Sequence, residues 1–187
     1  MILSILICSI SERLTKFPAL AEHLVKQAEG KPVEILWLGD NITMGLGEKQ
    51  NKLLCLAKGD YVAFVDDDDW VSNDFIDEVL KAAEQKPDVI SVDMLYSHNG
   101  DAYVPVHVSI QHNEFVNNPP HFYKRYPTDK SFVRREYALK TGFDEKLKIG
   151  IDTDFATRIR PLLKTEVRTA PMYYYHYNTK TTTTKNE

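Results

Sequence analysis

Apolar positions fall in blocks, and the spacing within the blocks alternates between two periods. Residues 2–8 are apolar almost throughout, the pattern of a strand covered on both faces. Ser9, Ile10 and Ser11 interrupt that run, and Ser11 is placed to cap a helix starting near Glu12. Leu14, Phe17, Leu20, Leu24 and Val25 then recur at helical spacing until Gly30-Lys31-Pro32. Residues 33–38 read as a second strand, ending in Gly39-Asp40-Asn41. The strand–helix–strand order predicts a parallel pair with a right-handed crossover. Residues 42–47 read as a loop in which Gly45 and Gly47 let the backbone approach a phosphate. A helix over 48–58 follows, with Leu53, Leu54 and Leu56 inward, and then a third strand over 61–65. Ser72 caps a helix running to about Gln85, with Phe75, Ile76, Val79, Leu80 and Ala83 on its buried side. Residues 88–95 make a fourth strand.

Beyond residue 96 the blocks shorten. Ser97-His98-Asn99-Gly100 is a hairpin turn leading into a return strand over 103–110. Residues 111–130 are polar, aromatic and carry Pro119-Pro120, which predicts a loop over the ligand-binding face. A short strand over 131–133 precedes a helix over 134–141 that Gly142 closes. Asp152 caps a helix over 152–163, in which Pro161 imposes a kink or an early stop. Residues 167–177 form one strand or two, and 179–187 a mobile, threonine-rich tail. There is no internal repeat and no linker, so one domain is expected over 1–187.

Composition narrows the setting without naming a function. Of 187 residues, 43% are hydrophobic and 27% charged, ordinary for a soluble globular protein. A formal charge of −4 supplies no global attraction to nucleic acid or an anionic membrane. No run reaches the roughly 18 apolar residues that span a bilayer, so no membrane insertion is expected. The apolar opening lacks the basic flank and small-residue cleavage site of a signal peptide. Cys8 and Cys55 both sit in apolar segments and read as core residues of a reducing compartment, which predicts a cytoplasmic protein.

Chemistry concentrates where the third strand ends. Tyr61 to Val65 runs directly into Asp66, Asp67, Asp68 and Asp69, and then Trp70. Ligands of open α/β sheets bind at the carboxyl ends of strands. Four like charges there favour a neutralising cation, and carboxylate oxygens suit Mg²⁺ or Mn²⁺. The plain alternative is a solvated acidic turn leading into the next helix.

The stretch Gly59-Asp60-Tyr61-Val62-Ala63-Phe64-Val65-Asp66-Asp67-Asp68-Asp69 resembles the GEYIxFLDADD segment of glycosyltransferase family 2. Gly142-Phe143-Asp144-Glu145, with Gly150-Ile151-Asp152, is similar to the GGFDE…GEDxDL segment of that family. The resemblance covers nearly the whole chain. It implies a GT-A, Rossmann-like α/β/α sandwich with three layers and a mainly parallel central sheet. Residues 1–95 would be the nucleotide-sugar half and 96–178 the acceptor half. It also implies an inverting, metal-dependent transfer from a nucleotide-sugar, a UDP-sugar before others, to an acceptor hydroxyl.

Residue roles follow from the same resemblance. Ser9, Ser11 and Asp40 fall where such enzymes hold the nucleotide. The ARN segment of the family falls on Lys49-Gln50-Asn51, so Lys49 takes over the charge of the usual arginine and Asn51 is a further contact. Asp66 and Asp67 belong to the donor site, and Asp68 is the ligand of Mn²⁺ or Mg²⁺. His176, within Tyr173-Tyr174-Tyr175-His176-Tyr177, is a candidate second metal ligand or a packed strand residue. Asp152 is the base that deprotonates the acceptor; Ile151 replaces the usual glutamate before it, and Asp154 is its rival. Trp70 reads as a wall of the sugar site, and Arg158 and Arg160 either pair with the diphosphate or solvate a helix face. The acceptor is a glycan, a small molecule or a modified base of phage DNA. DNA enters because 121–140 carries Lys124, Arg125, Lys130, Arg134, Arg135 and Lys140 with Tyr123 and Tyr126 between them. The rival reading is a nucleotide- or sugar-binding protein without turnover, which the departures at Gln50 and Ile151 favour.

Overall fold

Leu3, Ile5, Leu6 and Ile7 are fully buried, because the first strand lies between two parallel neighbours and under helices on both faces. The computed structural model describes residues 1–11 and 17–179. The helix start expected at Glu12 and the tail beyond Thr179 lie outside the described residues. The elements are β1 (Leu3–Ile10), α1 (Phe17–Ala28), β2 (Val33–Asp40), α2 (Leu46–Leu56) and β3 (Tyr61–Phe64). They continue with β4 (Trp70–Val71), α3 (Phe75–Ala83), β5 (Val89–His98), β6 (Val104–Val108) and β7 (Val116–Asn118). The chain closes with β8 (Phe122–Arg125), β9 (Phe132–Arg134), α4 (Arg135–Thr141), α5 (Ile151–Ile159) and β10 (Glu166–Tyr177).

These strands form one sheet in the order β2-β1-β3-β9-β5-β6-β8-β7, with β10 beside β5 and β4 beside β10. Leu20 and Leu24 of α1 pack with Phe75, Ile76 and Val79 of α3 in one apolar cluster. Leu53 and Leu54 of α2 pack with Ala138 of α4 and Phe155 and Ile159 of α5 in the other. The result is the expected three-layer α/β/α sandwich. The sheet is parallel across β2, β1 and β3 and again between β5 and β10. Between those parts β9 runs antiparallel to both β3 and β5.

The structure departs from the sequence reading in one segment and settles two points that it left open, each for a physical reason. The expected loop over 111–130 contains β7 and β8, strands of three and four residues too short to show alternation. Helix α5 stops at Ile159 and tightens into a 3-10 turn over Arg160–Leu162, where Pro161 cannot donate to a continuing helix. Strand β10 is one element of twelve residues, but its register on β5 shifts between Thr169 and Tyr173, around Pro171. Cys55 is exposed on α2 rather than buried, and Cys8 is half-buried. Among the described residues no helix is long and apolar enough to cross a membrane.

Gly59 brings the acid-bearing strand into register with β1. A Cβ there would lie 2.5 Å from the Ser4 nitrogen and 2.6 Å from the Leu3 carbonyl carbon, both backbone atoms. Neither can swing away. Gly59→Ala is therefore expected to destabilise the fold by about 1–3 kcal/mol, the usual cost of overpacking. Urea denaturation measures it, and an unchanged midpoint would show that the two strands separate at little cost.

Candidate active site

The site begins at the adjacent ends of β1 and β2. Lys49, 3% exposed on α2, donates from Nζ to the Ser9 carbonyl at 2.9 Å and forms an ion pair with Asp40. Asp40 Oδ2 also accepts from Thr43 N–H (2.6 Å), Thr43 Oγ1 (2.9 Å) and Met44 N–H (2.7 Å). Burial opposes ionisation, but Lys49 and these donors outweigh it and hold the Asp40 carboxyl well below the usual carboxylate range. Asp40 and Lys49 are thus engaged with each other and with nearby backbone, where sequence had them facing the nucleotide. The Ser11 hydroxyl donates to the Asp40 carbonyl at 3.3 Å.

The acid loop is tied to more than one strand of the sheet. The Ser9 hydroxyl donates to Asp67 Oδ2 at 2.5 Å, which fastens the loop to the end of β1. The Asp66 N–H donates to the Tyr173 hydroxyl at 3.0 Å, and that hydroxyl donates to Asp69 Oδ2 at 2.8 Å. Asp69 Oδ1 accepts from the His176 N–H at 2.8 Å. Burial, reinforced by the charge of Asp66, pushes Asp69 well above the usual carboxylate range. Asp69 is therefore an internal tie between the loop and β10. Asp68 is half-buried in the same loop.

A lysine that sequence reading placed only in a basic stretch turns out to be central. Lys130 Nζ donates to Asp66 Oδ1 at 2.6 Å and to Asp129 Oδ2 at 3.3 Å. Burial works against this ammonium, yet Asp129 and Asp66 outweigh it and hold its pKa well above the ordinary lysine value. Asp129 is buried, and its carboxyl is pushed up to about 6 by desolvation; Lys130 opposes that shift, while Asp66 and Asp152 add to it. Gln50 of α2 donates from Nε2 to Asp129 Oδ2 at 3.1 Å. No local signal marks this cluster, because its members come from residues 50, 66, 129 and 130.

These groups line a cleft of about 450 Å³. Asp66, Gln50, Asp129 and Lys130 lie at one part of it, Asp152 and Gly150 at another, and Tyr96, Tyr123, Tyr175 and Arg125 along its walls. Asp152 stands exposed in the first turn of α5, and no hydrogen bond or ion pair engages its carboxylate among the described residues. Asp154 is bound instead to Arg158, at 2.9 Å from Nε and 2.5 Å from Nη2. Asn51 clamps the segment before α5: its amide donates to the Phe143 carbonyl (2.9 Å) and Glu145 Oε1 (2.8 Å), and its oxygen accepts from Phe143 N–H (2.8 Å). That clamp, rather than a nucleotide, occupies the Asn51 side chain.

Four other expectations meet different surroundings. His176 Nε2 lies 2.8 Å from the Tyr103 hydroxyl, and strand alternation turns its ring away from the face that carries Tyr175 and Tyr177 into the cleft. Trp70 is stacked on His23 of α1 and does not line the cleft. Arg160 reaches Asn113 and lies over the Tyr126 ring, and Arg158 is held by Asp154 and the Thr141 and Gly142 carbonyls. The basic stretch is largely spent internally: Arg134 on the Lys86 and Pro87 carbonyls, Arg135 on Gly59, Arg125 on Val116, Lys124 and Asn117, and Lys130 on its two acids.

Among the described residues no three carboxylate, histidine or cysteine side chains converge as a metal-holding group. A cage built of protein ligands alone does not fit this donor set. An ion bound by one carboxylate, with further oxygens from a ligand, does fit it, and Asp68 is a half-buried acid of the loop.

The raised Asp129 carboxyl has a consequence for stability. Its folded pKa, about 6, exceeds the unfolded value, so the folded state holds the extra proton between about pH 4 and 6. Stability from this group is therefore present at low pH and lost as pH rises through 6. Asp129→Asn is expected to gain on wild type by roughly 1–3 kcal/mol between pH 4 and 7.5. Denaturation of both proteins at the two pH values measures the gain, and a constant difference would show that the carboxyl is not desolvated.

Comparison with known proteins places this geometry. The family described as Glycosyl transferase family 2 matches residues 15–147, well over half of the chain. The uncharacterized glycosyltransferase MJ1057 of Methanocaldococcus jannaschii is 26% identical over 146 residues, 74% of this chain and 49% of that protein. The chain thus spans about half the length of that relative. The crystal structure of S. aureus TarS 1–349 superposes with a TM-score of 0.68 at 17% identity, covering 94% of this chain and 60% of that one. Its complex with UDP-GlcNAc gives 0.66 at 16% identity, covering 100% and 60%. At such identities the likeness establishes a shared fold. Fold and family profile agree, and the chain belongs to glycosyl transferase family 2.

Proposed function

We propose that this chain transfers a sugar from a nucleotide-sugar to an acceptor hydroxyl, with inversion at the anomeric carbon. The observation that carries the proposal is a single cleft lined both by Asp66 of the loop after β3 and by the unengaged Asp152 of α5. The acids after β3 mark the donor end, at the carboxyl ends of parallel strands. A UDP-sugar is the first donor to test, since TarS, which shares the fold, has been solved with UDP and with UDP-GlcNAc.

In this reading Asp152 takes the proton of the acceptor hydroxyl. The hydroxyl oxygen forms its bond to the anomeric carbon as the bond to the diphosphate breaks on the opposite face. The nucleoside diphosphate leaves with the electron pair. Asp68 would hold Mn²⁺ or Mg²⁺ on that diphosphate, and the ion, when bound, supplies positive charge against the leaving group. Asp154 is the weaker candidate for base, because Arg158 already occupies its carboxylate. The acceptor is proposed to be a saccharide or another hydroxyl compound. A DNA acceptor loses support because most of the basic side chains of 121–140 are bound within the protein. Two free thiols and the absence of a spanning helix among the described residues fit a cytoplasmic setting.

Asp152→Asn is expected to lower transfer roughly 10²–10⁴-fold, the usual worth of a positioned base, while nucleotide affinity stays within a few-fold of wild type. Asp154→Asn should cost much less. Equal losses in the two variants would reassign the base. Calorimetric titration of UDP with and without Mn²⁺ tests the loop. Asp68→Ala should abolish the metal-dependent part of the affinity; if that part survives, Asp68 is not the ligand. Tight UDP binding by wild type without transfer to any acceptor would favour the binding-protein reading.

A further inference from the structure

Two buried oxygens at the floor of the cleft have no hydrogen-bond partner among the described residues: Asp129 Oδ1 and Gln50 Oε1. The other polar atoms of these side chains are engaged. Asp129 Oδ2 accepts from both Gln50 Nε2 and Lys130 Nζ, and those contacts fix the orientation in which Oδ1 and Oε1 are left over. A buried polar atom left unpaired costs about 1–3 kcal/mol, and folded proteins carry few of them. Both side chains are at least 96% buried. Above about pH 6 the Asp129 carboxyl carries no proton to donate, so neither oxygen can satisfy the other. Both call for a donor from outside the protein.

We propose that Gln50 and Asp129 are specificity-determining residues that accept hydrogen bonds from hydroxyl groups of the transferred sugar; this rests on the glycosyl-transfer reading above. Neighbouring ring hydroxyls supply two O–H donors side by side and bring no net charge into a buried recess. A second cation is the poorer occupant, because the Lys130 ammonium already lies against the Asp129 carboxylate and would repel it. Position selects the transferred sugar over the acceptor. Lys130 joins Asp129 directly to Asp66 of the donor loop, and Gln50 follows Lys49, which closes the ends of β1 and β2. Asp129 also feels the charges of both Asp66 and Asp152. All three acids line one cleft, the one in which this reading puts the migrating group.

The test separates the sugar from the nucleotide. UDP, GDP and their hexose conjugates are titrated calorimetrically into wild type, Gln50→Leu and Asp129→Asn, and each apo protein is melted. The affinity for the accepted nucleotide-hexose is expected to fall roughly three- to tenfold in Gln50→Leu and ten- to hundredfold in Asp129→Asn. Affinity for the bare nucleotide should change less than about threefold in both variants, whatever Gln50→Leu does to the melting temperature through its lost hydrogen bond to Asp129. A conjugate lacking one ring hydroxyl should be discriminated by wild type and not by the variants. Equal weakening of nucleotide and conjugate, or a lower melting temperature with unchanged conjugate binding, would show a structural role and overturn the assignment. Gln50→Leu decides the matter alone if Asp129→Asn does not fold. If wild type binds no nucleotide at all, the glycosyl-transfer reading fails first and this assignment falls with it.

Discussion

Everything near the cleft depends on how the fold accommodates negative charge at the end of β3. Two unit charges 4 Å apart repel by about 4 kcal/mol at the effective dielectric of a protein surface. Asp66, Asp67, Asp68, Asp69 and Asp129 share one corner, so unrelieved repulsion would rival the whole stability of a domain. The protein answers locally. Lys130 sits between Asp66 and Asp129, Ser9 binds Asp67, and Tyr173 together with a backbone N–H holds Asp69. A hydroxyl or amide donor stabilises a carboxylate without adding a charge that must itself be desolvated. Lys130 is the buried cation that pairs directly with these acids, and it lines the cleft.

The same arrangement explains why the acid loop is fixed in space. Its ties run to β1 through Ser9, to β10 through Tyr173 and His176, and to the segment before β9 through Lys130. Tyr173 is itself almost wholly buried, and burial together with Asp69 and Asp66 keeps its hydroxyl protonated and able to donate. A ligand at this loop therefore meets groups already oriented, which lowers the ordering cost of binding.

Legibility in the sequence followed the range of the interactions. Strand β1, the crossover to β2 and the acid-tipped β3 could be read because burial on both faces leaves a local apolar run. Asp152 was legible through its motif, and the structure puts it on the cleft. Strands β7 and β8 were not, since three or four residues show no period. His176 and Trp70 depended on which way a side chain points. Strand alternation decides that along β10, and stacking on His23 decides it for Trp70. The Gln50–Asp129–Lys130 cluster joins residues up to 80 positions apart, so each looked like ordinary surface polarity until the sheet brought them together.

Asn51 and Gly47 link the two ends of the cleft. Helix α2 carries Lys49 and Gln50 toward the donor end, while Asn51, one residue on, clamps Phe143 and Glu145. Gly47 lets Asp144 approach so closely that a Cβ would lie 2.8 Å from its carbonyl oxygen. One helix thus sets both the floor of the cleft and the position of the chain that leads into α5 and Asp152. The transfer proposed above would need the separation of base and donor held to within a fraction of an ångström. Fixing both from adjacent residues of one rigid helix meets that demand more directly than two independent loops would. The Lys49 and Asn51 side chains both brace that frame, one against the end of β1 and the other against the chain before α5.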